Sequence, residues 1–203
     1  MSKLSFVCSA LLGAMLLLGC NQQENSATTK PSDAPKSIRL AVIPKGTTHV
    51  YWKSVEAGAR QAAKDLNVEM VWKGPLKEND REQQISIVEQ FVSEGVSGIV
   101  LAPLDESALV RPVKEAQDKK IPVVIIDSAL RGKAGDDFVS LIATNNHEGG
   151  VTAGKRLAAT LDGKGKVVLM RYLEGSASTL EREQGFLDAM KQNPGITVLV
   201  NNR

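Results

Sequence analysis

The rest of this chain is organised around residues 121 to 128, which have the sequence IPVVIIDS. After Pro122 come four β-branched residues in a row, a pattern typical of a strand that is buried on both faces, as in parallel sheets. Asp127 follows this strand at its carboxyl end, and in open α/β sheets ligands bind in the crevice outside those ends. A carboxylate at that point can cap a loop or helix, or it can contact a ligand. Its position alone does not separate the two.

The chain from Ile38 alternates short apolar runs with longer amphipathic ones, an order that predicts a parallel sheet with helices on its faces. Five strands and three helices are predicted before Asn145, followed by two helices and two strands. We therefore predict an α/β fold with an N-terminal lobe over residues 37–144 and a partial C-terminal lobe over residues 145–203. A two-stranded sheet rarely stands alone, so we expect the second lobe to be incomplete.

The first 36 residues have the pattern of a lipoprotein leader. Lys3 precedes an apolar stretch at 6–18, which has signal-peptide length and is short for a membrane span. It closes on Leu-Leu-Gly-Cys, which resembles a bacterial lipobox in which Cys20 receives lipid. A signal peptide over 1–19 and a flexible, polar tether over 20–36 are predicted. A plain signal peptide or a poor membrane helix is the alternative.

Composition and motifs exclude several classes of function. The 25 basic and 23 acidic residues leave a net charge of +2, so we expect no nucleic-acid partner. Both cysteines, Cys8 and Cys20, precede the predicted lobes, and His49 and His147 lack zinc-ligand spacing, so no metal site is predicted. The segment 44–49 after the first strand contains no G-x-G-x-x-G, and the chain contains no G-x-S-x-G. We predict no cofactor and no enzymatic activity.

Three features are candidates for ligand binding. Tyr51 and Trp52 are adjacent in a chain with eight aromatic residues of the Phe, Trp and Tyr types. Adjacent helical residues point about 100° apart, so one ring can pack in the core while the other faces the crevice. Asp127 offers several acceptor sites, which suits a polyol with adjacent hydroxyl groups. Core packing of both rings is the alternative reading.

Arg182 is the third feature. The S-x-x-E spacing of Ser178 and Glu181 matches a capping box, which predicts a helix that starts at Ser178 and places Arg182 near its first turn. A cation there opposes the helix dipole at a cost of about 0.3 to 1 kcal/mol. Either Arg182 is a solvated surface residue, or its forked N–H groups point into the crevice toward a ligand.

From Ile38 onward the chain resembles the ribose-like, type I periplasmic binding proteins of ABC transporters. The matching segments are IPVVIIDS at 121–128, IATNN at 142–146 with Gly150 and Gly154 after it, and STLEREQGF at 178–186. The resemblance implies two doubly wound parallel-sheet lobes joined by a hinge at Thr144, Asn145 and Asn146. It also implies that Asp127 and Arg182 contact a sugar from opposite lobes.

The resemblance adds further candidates and one departure. His49, Tyr51 and Trp52 fall on the family's Asn-Pro-Phe-Phe segment, with both aromatic positions kept. The residue after Asp127 is a serine where ribose binders have a second arginine, so the sugar is not implied. The Ile-Pro-Lys run that ends at Lys45 resembles the autoinducer-2 and rhamnose-type branch, in which this lysine reaches the ligand.

The resemblance implies a lipoprotein held at the extracytoplasmic, periplasmic face of the membrane through lipid on Cys20. Its partners would be a monosaccharide and the permease subunits of an ABC transporter. The alternative function is a sensor that presents a sugar or an autoinducer-2-like ligand to a receptor kinase. Chains of the family continue past the point that corresponds to Arg203, so we expect a C-terminal truncation here.

Overall fold

The computed structural model describes residues 37–200, which form seven strands and five helices. The predicted signal peptide, the tether and Cys20 lie outside the described residues. The first eight elements are β1 (Arg39–Ile43), α1 (Val50–Asp65), β2 (Glu69–Trp72), α2 (Arg81–Glu94), β3 (Gly98–Leu101), α3 (Val110–Asp118), β4 (Val123–Ile126) and β5 (Ser140–Ile142). The remaining four are α4 (Asn146–Thr160), β6 (Gly165–Val168), α5 (Ala177–Lys191) and β7 (Ile196–Val200).

The first five strands form one parallel sheet in the order β2-β1-β3-β4-β5. From β1 the chain goes first to one neighbour, β2, and then returns to the other side to add β3, so the strand order reverses at β1. Ligand crevices of open α/β sheets lie at such a reversal, outside the carboxyl ends of the strands. The segments that follow β1 and β4 are therefore placed to form a site.

Helices α2 and α3 cover one face of this sheet and form its core. Val88, Phe91 and Val113 pack against inward side chains of the central strands, among them Ile99 and Ile125. Burial of each such side chain contributes about 1.5 to 3 kcal/mol. Sequence signals set both ends of α2: the side chain of its N-cap, Asp80, accepts the N–H of Gln83, and Gly95 ends the helix in the left-handed conformation.

The strand β4 ends where its sequence predicts. Asp127 has φ of 65°, a left-handed backbone conformation that is uncommon outside glycine, and so it turns the chain out of the sheet. Its N–H donates to the carbonyl of Ile142 at 3.0 Å, which fixes the turn against β5. The carboxylate of Asp127 is thereby presented at the carboxyl edge of the sheet.

The last four elements, α4, β6, α5 and β7, form a second group of helices and strands. We call this group the second layer, and the elements up to β5 the first layer. Strands β6 and β7 pair in parallel as a separate two-stranded sheet. Helices α4 and α5 pack closely because glycines lie at their contact: a Cβ atom at Gly150 would collide with the carbonyl of Arg182, and one at Gly185 with the carbonyl of His147. Within residues 37–200, no helix has both the length and the apolar character that a membrane span needs.

The predicted capping box is wrong. Helix α5 begins at Ala177 with Ser176 as N-cap, and Ser178 lies inside the first turn. Because Ser178 is the second residue of the helix it is not the N-cap, and its hydroxyl instead accepts a hydrogen bond from Lys45 at 3.0 Å. Arg182 therefore lies in the second turn of α5, beyond the strongest influence of the helix N-terminus.

Candidate functional site

A cavity of about 480 Å³ opens at the carboxyl ends of β1 and β4. All six ligand-binding candidates predicted from the sequence line it, together with four residues that were not predicted as ligand contacts. The ten lining residues are Lys45, His49, Tyr51, Trp52, Glu78, Asp127, Thr144, Tyr172, Thr179 and Arg182. The structure therefore brings the loop after β1, the end of β4 and helix α5 to one place.

Asp127 is held from two sides. The hydroxyl of Tyr51 donates to its Oδ1 at 2.9 Å, and Nζ of Lys45 lies 3.1 Å from its Oδ2. A carboxylate has about four lone-pair sites, so two of them remain for other donors. The side chain of Asp127 is about one-fifth exposed, at 19%. It can thus accept hydrogen bonds from adjacent hydroxyl groups while its own orientation stays fixed.

Of the two adjacent aromatic residues, one is buried and the other is exposed, as helix geometry predicts. Trp52 is 2% exposed and donates through Nε1 to Glu78 at 2.7 Å, whereas Tyr51 is 48% exposed. Their rings meet edge to face with centroids 4.9 Å apart. Desolvation of the phenol, and then its hydrogen bond to Asp127, raises the pKa of Tyr51 to about 12. Tyr51 is therefore a neutral hydrogen-bond donor at physiological pH, and Trp52 forms a rigid wall.

Lys45 is buried, with 4% of its surface exposed. Besides its ion pair with Asp127, Nζ donates to the hydroxyls of Ser176 at 3.1 Å and Ser178 at 3.0 Å. Burial lowers the pKa of Lys45, while the charge of Asp127 acts in the opposite direction. These serines were not predicted as partners of Lys45, because nothing local in the sequence marks a contact across 131 positions.

Arg182 is exposed on α5 and lines the cavity. Among residues 37–200, no carboxylate lies within ion-pairing distance of its guanidinium. His49 caps α1, since its Nδ1 accepts the N–H of Tyr51 at 3.1 Å. The site thus contains one fixed carboxylate, which follows the five-stranded sheet's β4, and one forked donor on α5, the helix that connects the two strands of the smaller sheet.

The predicted hinge residues join β5 to α4. Thr144 lines the cavity, and Asn145 is the N-cap of α4, where its Oδ1 accepts the N–H of Glu148 at 3.1 Å. Asn146 is 2% exposed, and its Oδ1 has no hydrogen-bond partner among the described residues. These contacts describe one arrangement of the segment, and movement about it stays a prediction.

No cluster of three His, Cys, Asp or Glu residues suited to a metal ion occurs within 37–200. The four charged side chains that line the cavity are two cations, Lys45 and Arg182, and two anions, Glu78 and Asp127. Their formal charges cancel. The arrangement suits a neutral, hydroxyl-rich molecule better than a phosphate or an acid.

Known proteins resemble this chain along most of its length. The D-ribose/D-allose-binding protein of Pseudomonas aeruginosa is 31% identical over 185 residues, which cover 89% of this chain and 58% of that protein. A carbohydrate transporter solute-binding protein from Agrobacterium radiobacter, solved in complex with D-arabinose, superposes with a TM-score of 0.77 at 36% identity. The superposed region covers 82% of this chain and 57% of that structure.

A solute-binding protein from Agrobacterium vitis with bound α-D-tagatopyranose gives a TM-score of 0.76 at 32% identity, over 82% of this chain and 58% of that one. This chain thus spans a little more than half the length of these relatives. The model of the periplasmic binding protein domain matches residues 40–202, which is most of the chain. The α/β architecture agrees with these structures, and the chain belongs to the periplasmic binding protein domain family.

Proposed function

We propose that this protein binds a neutral monosaccharide in the cavity lined by Asp127 and Arg182 and delivers it to an ABC permease without converting it. The observation that carries the proposal is that two side chains line the same cavity: the carboxylate of Asp127, which Tyr51 and Lys45 hold in place, and the exposed guanidinium of Arg182. A carboxylate with two lone-pair sites left accepts from neighbouring hydroxyls, and a guanidinium donates to ring or hydroxyl oxygens. Tyr51 adds an apolar ring face.

Charge and size support this class of ligand. The two cations and two anions of the cavity cancel, so a neutral molecule enters without an uncompensated charge. A volume of about 480 Å³ lies within the range of roughly 300 to 1,000 Å³ typical of small-molecule sites. Relatives whose names include D-ribose, D-allose and D-arabinose are consistent with a neutral aldose.

The proposed mechanism uses two lobes, residues 37–144 and 145–203, that close about Thr144, Asn145 and Asn146 when ligand binds. Asp127 would contact the sugar from the first lobe and Arg182 from the second, so both contacts form only when the lobes are together. Binding energy is then available to stabilise the closed form that a permease recognises.

A thermal-shift screen followed by titration calorimetry tests the binding. The panel contains neutral pentoses and hexoses, matched sugar acids and sugar phosphates. We expect a neutral monosaccharide to raise the melting temperature and the charged analogues to have no effect. Stabilisation by sugar phosphates alone would contradict the proposal. In a deletion strain we expect loss of uptake of the same sugar, whereas intact uptake with loss of a sugar-induced response would favour the sensing function.

We also propose that Cys20 carries lipid and holds the domain at the extracytoplasmic face of the membrane. Support comes from the lipobox-like Leu-Leu-Gly-Cys ending, the polar tether that follows it and the membership of the periplasmic binding protein family. Metabolic labelling with an alkyne fatty acid should mark the wild type and leave Cys20→Ser unlabelled. Equal labelling of both proteins would contradict the proposal.

A further inference from the structure

Lys45 is surrounded by acceptors from both layers of the structure. Its ammonium has three N–H donors, and three oxygen atoms lie within 3.1 Å: Oδ2 of Asp127, and the hydroxyls of Ser176 and Ser178. Asp127 follows β4 of the five-stranded sheet, whereas both serines lie at the start of α5 beside the two-stranded sheet. Every N–H of Lys45 is thus matched by an acceptor of the chain itself.

A second hydrogen bond joins the two layers, and its donor belongs to α5. The backbone N–H of Ser178 donates to Oγ of Ser128 at 3.0 Å, and Ser128 has no exposed surface. The first N–H groups of a helix have no partner within the helix, and here the N-cap Ser176 makes no side-chain cap hydrogen bond. Ser128 therefore satisfies one of them from the other layer.

Burial makes these contacts strong. Ser176 and Ser178 are 2% and 4% exposed, and Lys45 is as deeply buried. Away from water, hydrogen bonds to a charged group are stronger than those between neutral groups, and a buried ammonium without acceptors is strongly unfavourable. If the layers separated, Lys45 and the N–H of Ser178 would need water in place of these partners.

Resting on the proposed function, we propose that Lys45 is a positioning residue and not a ligand contact: with Ser128, Ser176 and Ser178 it forms an inter-lobe lock. We use this name for these four residues. The lock fixes Asp127 and stabilises the closed arrangement, in which α5 and hence Arg182 lie against the first lobe, so that part of the ligand-free protein is already closed and ligand binding completes the closure. The sugar then meets a largely formed site, and its apparent affinity rises with the fraction of protein that is already closed.

The test compares Lys45→Met, the double variant Ser176→Ala/Ser178→Ala and a matched control, Lys73→Met. Lys73 is an exposed lysine that contacts Gln90 outside the cavity. The double variant keeps the ion pair of Lys45 with Asp127 and the backbone hydrogen bond of Ser178 to Ser128, and removes the two hydrogen bonds of Lys45 to α5. It therefore remains informative if Lys45→Met folds poorly. Hydrogen exchange of peptides that cover 174–182 and small-angle scattering are recorded on the full ligand-free chain, and calorimetry gives sugar affinity.

For the double variant we expect faster exchange in 174–182, a larger radius of gyration without ligand and an affinity reduced by about tenfold or more. Lys73→Met should match the wild type in all three measurements. Loss of affinity in Lys45→Met with unchanged exchange, scattering and affinity in the double variant would overturn the lock. Absence of sugar binding by the wild type would instead contradict the proposed function, and exchange and scattering would still decide whether the lock exists.

Discussion

The hydroxyl of Tyr51 donates a hydrogen bond of 2.9 Å to Oδ1 of Asp127, across 76 positions of the chain. This contact joins the first turn of α1 to the end of β4, so the aromatic ring and the carboxylate are fixed relative to each other. Because Lys45 holds the other oxygen of Asp127, the carboxylate cannot rotate freely. The side chain that we propose as the main sugar contact is therefore oriented before any ligand enters.

This contact predicts an unusual titration of Tyr51. The chain has two tyrosines, Tyr51 and Tyr172, and the pKa of Tyr51 is raised to about 12. Subtracting the alkaline absorbance titration of Tyr51→Phe from that of the wild type should leave one phenol with a midpoint near 12. Tyr172→Phe serves as the control and should retain this component. Circular dichroism on the same samples checks that the protein stays folded, and a midpoint near 10 would contradict the contact.

The raised pKa also fixes the sign of a stability effect. The folded state holds this proton more tightly than the unfolded chain, so the stabilisation is complete below about pH 10 and is lost as the pH rises toward 12. Tyr51 is about half exposed, so solvent screening limits the effect to about 1 kcal/mol. The free-energy difference between wild type and Tyr51→Phe, from urea unfolding, should shrink over this range. A constant difference would contradict the assignment.

Gly175 should be essential for the approach of the two layers. It has φ of 82°, its carbonyl accepts the N–H of Glu106 at 2.9 Å, and a Cβ atom there would collide with the carboxylate of Asp105. We expect Gly175→Ala to weaken sugar binding and to destabilise the protein more than Gly163→Ala. Gly163 has φ of 70° but open space around it, so its variant carries only the backbone cost of about 1 kcal/mol. Equal effects on stability and affinity would show that the close approach is unimportant.

Helices α4 and α5 offer a second glycine pair. Gly150 is buried and a Cβ atom there would collide with the carbonyl of Arg182, whereas Gly149 is exposed with nothing within 4 Å. Gly150→Ala should lower the free energy of unfolding by about 1 to 3 kcal/mol and shift Arg182 away from the cavity. Gly149→Ala should be neutral or stabilising by up to about 1 kcal/mol, because alanine favours a helix. Urea unfolding measures both, and similar values would contradict this packing.

Asp188 should make the protein sensitive to acid. Hydrogen bonds from Lys191, His147 and Gln184, in that order, lower its pKa from 3.8 to about 2. The folded state thus favours the carboxylate, so the stabilisation is present above about pH 4 and is lost as the pH falls toward 2. Asp188→Asn should reduce the dependence of unfolding free energy on pH over this range. Asp118→Asn, at an exposed ion pair on α3, is the control, and identical curves for Asp188→Asn and the wild type would contradict the assignment.

Local sequence signals predicted the strands and helices well, because each rests on short-range patterns. The β-branched run before Asp127 became β4, and the adjacent Tyr51 and Trp52 divided between cavity and core as their helical spacing predicts. All six candidates line one cavity, because the carboxyl ends of parallel strands meet at one edge. Ligand contact by each of them stays a prediction.

Contacts between distant segments were not predictable. The S-x-x-E pattern at Ser178 indicated a capping box, but α5 begins at Ala177, and the hydroxyl of Ser178 binds Lys45, which lies 133 positions away. Glu78 lies just before α2 in a segment without regular structure, so nothing local marks it as the partner of Trp52. Such roles depend on contacts between segments that are distant in the chain, which residue spacing within one segment does not encode.

Titration calorimetry of Asp127→Asn is the sharpest test of the proposal that Asp127 binds the sugar. Asparagine tolerates the left-handed backbone at this position, so the change removes the charge with little strain. Asp136→Asn, at an exposed carboxylate paired with Lys133, is the matched control. For the sugar found by the thermal-shift screen, we predict an affinity loss of at least about tenfold in Asp127→Asn and none in Asp136→Asn. Wild-type affinity in a folded Asp127→Asn protein would contradict the claim.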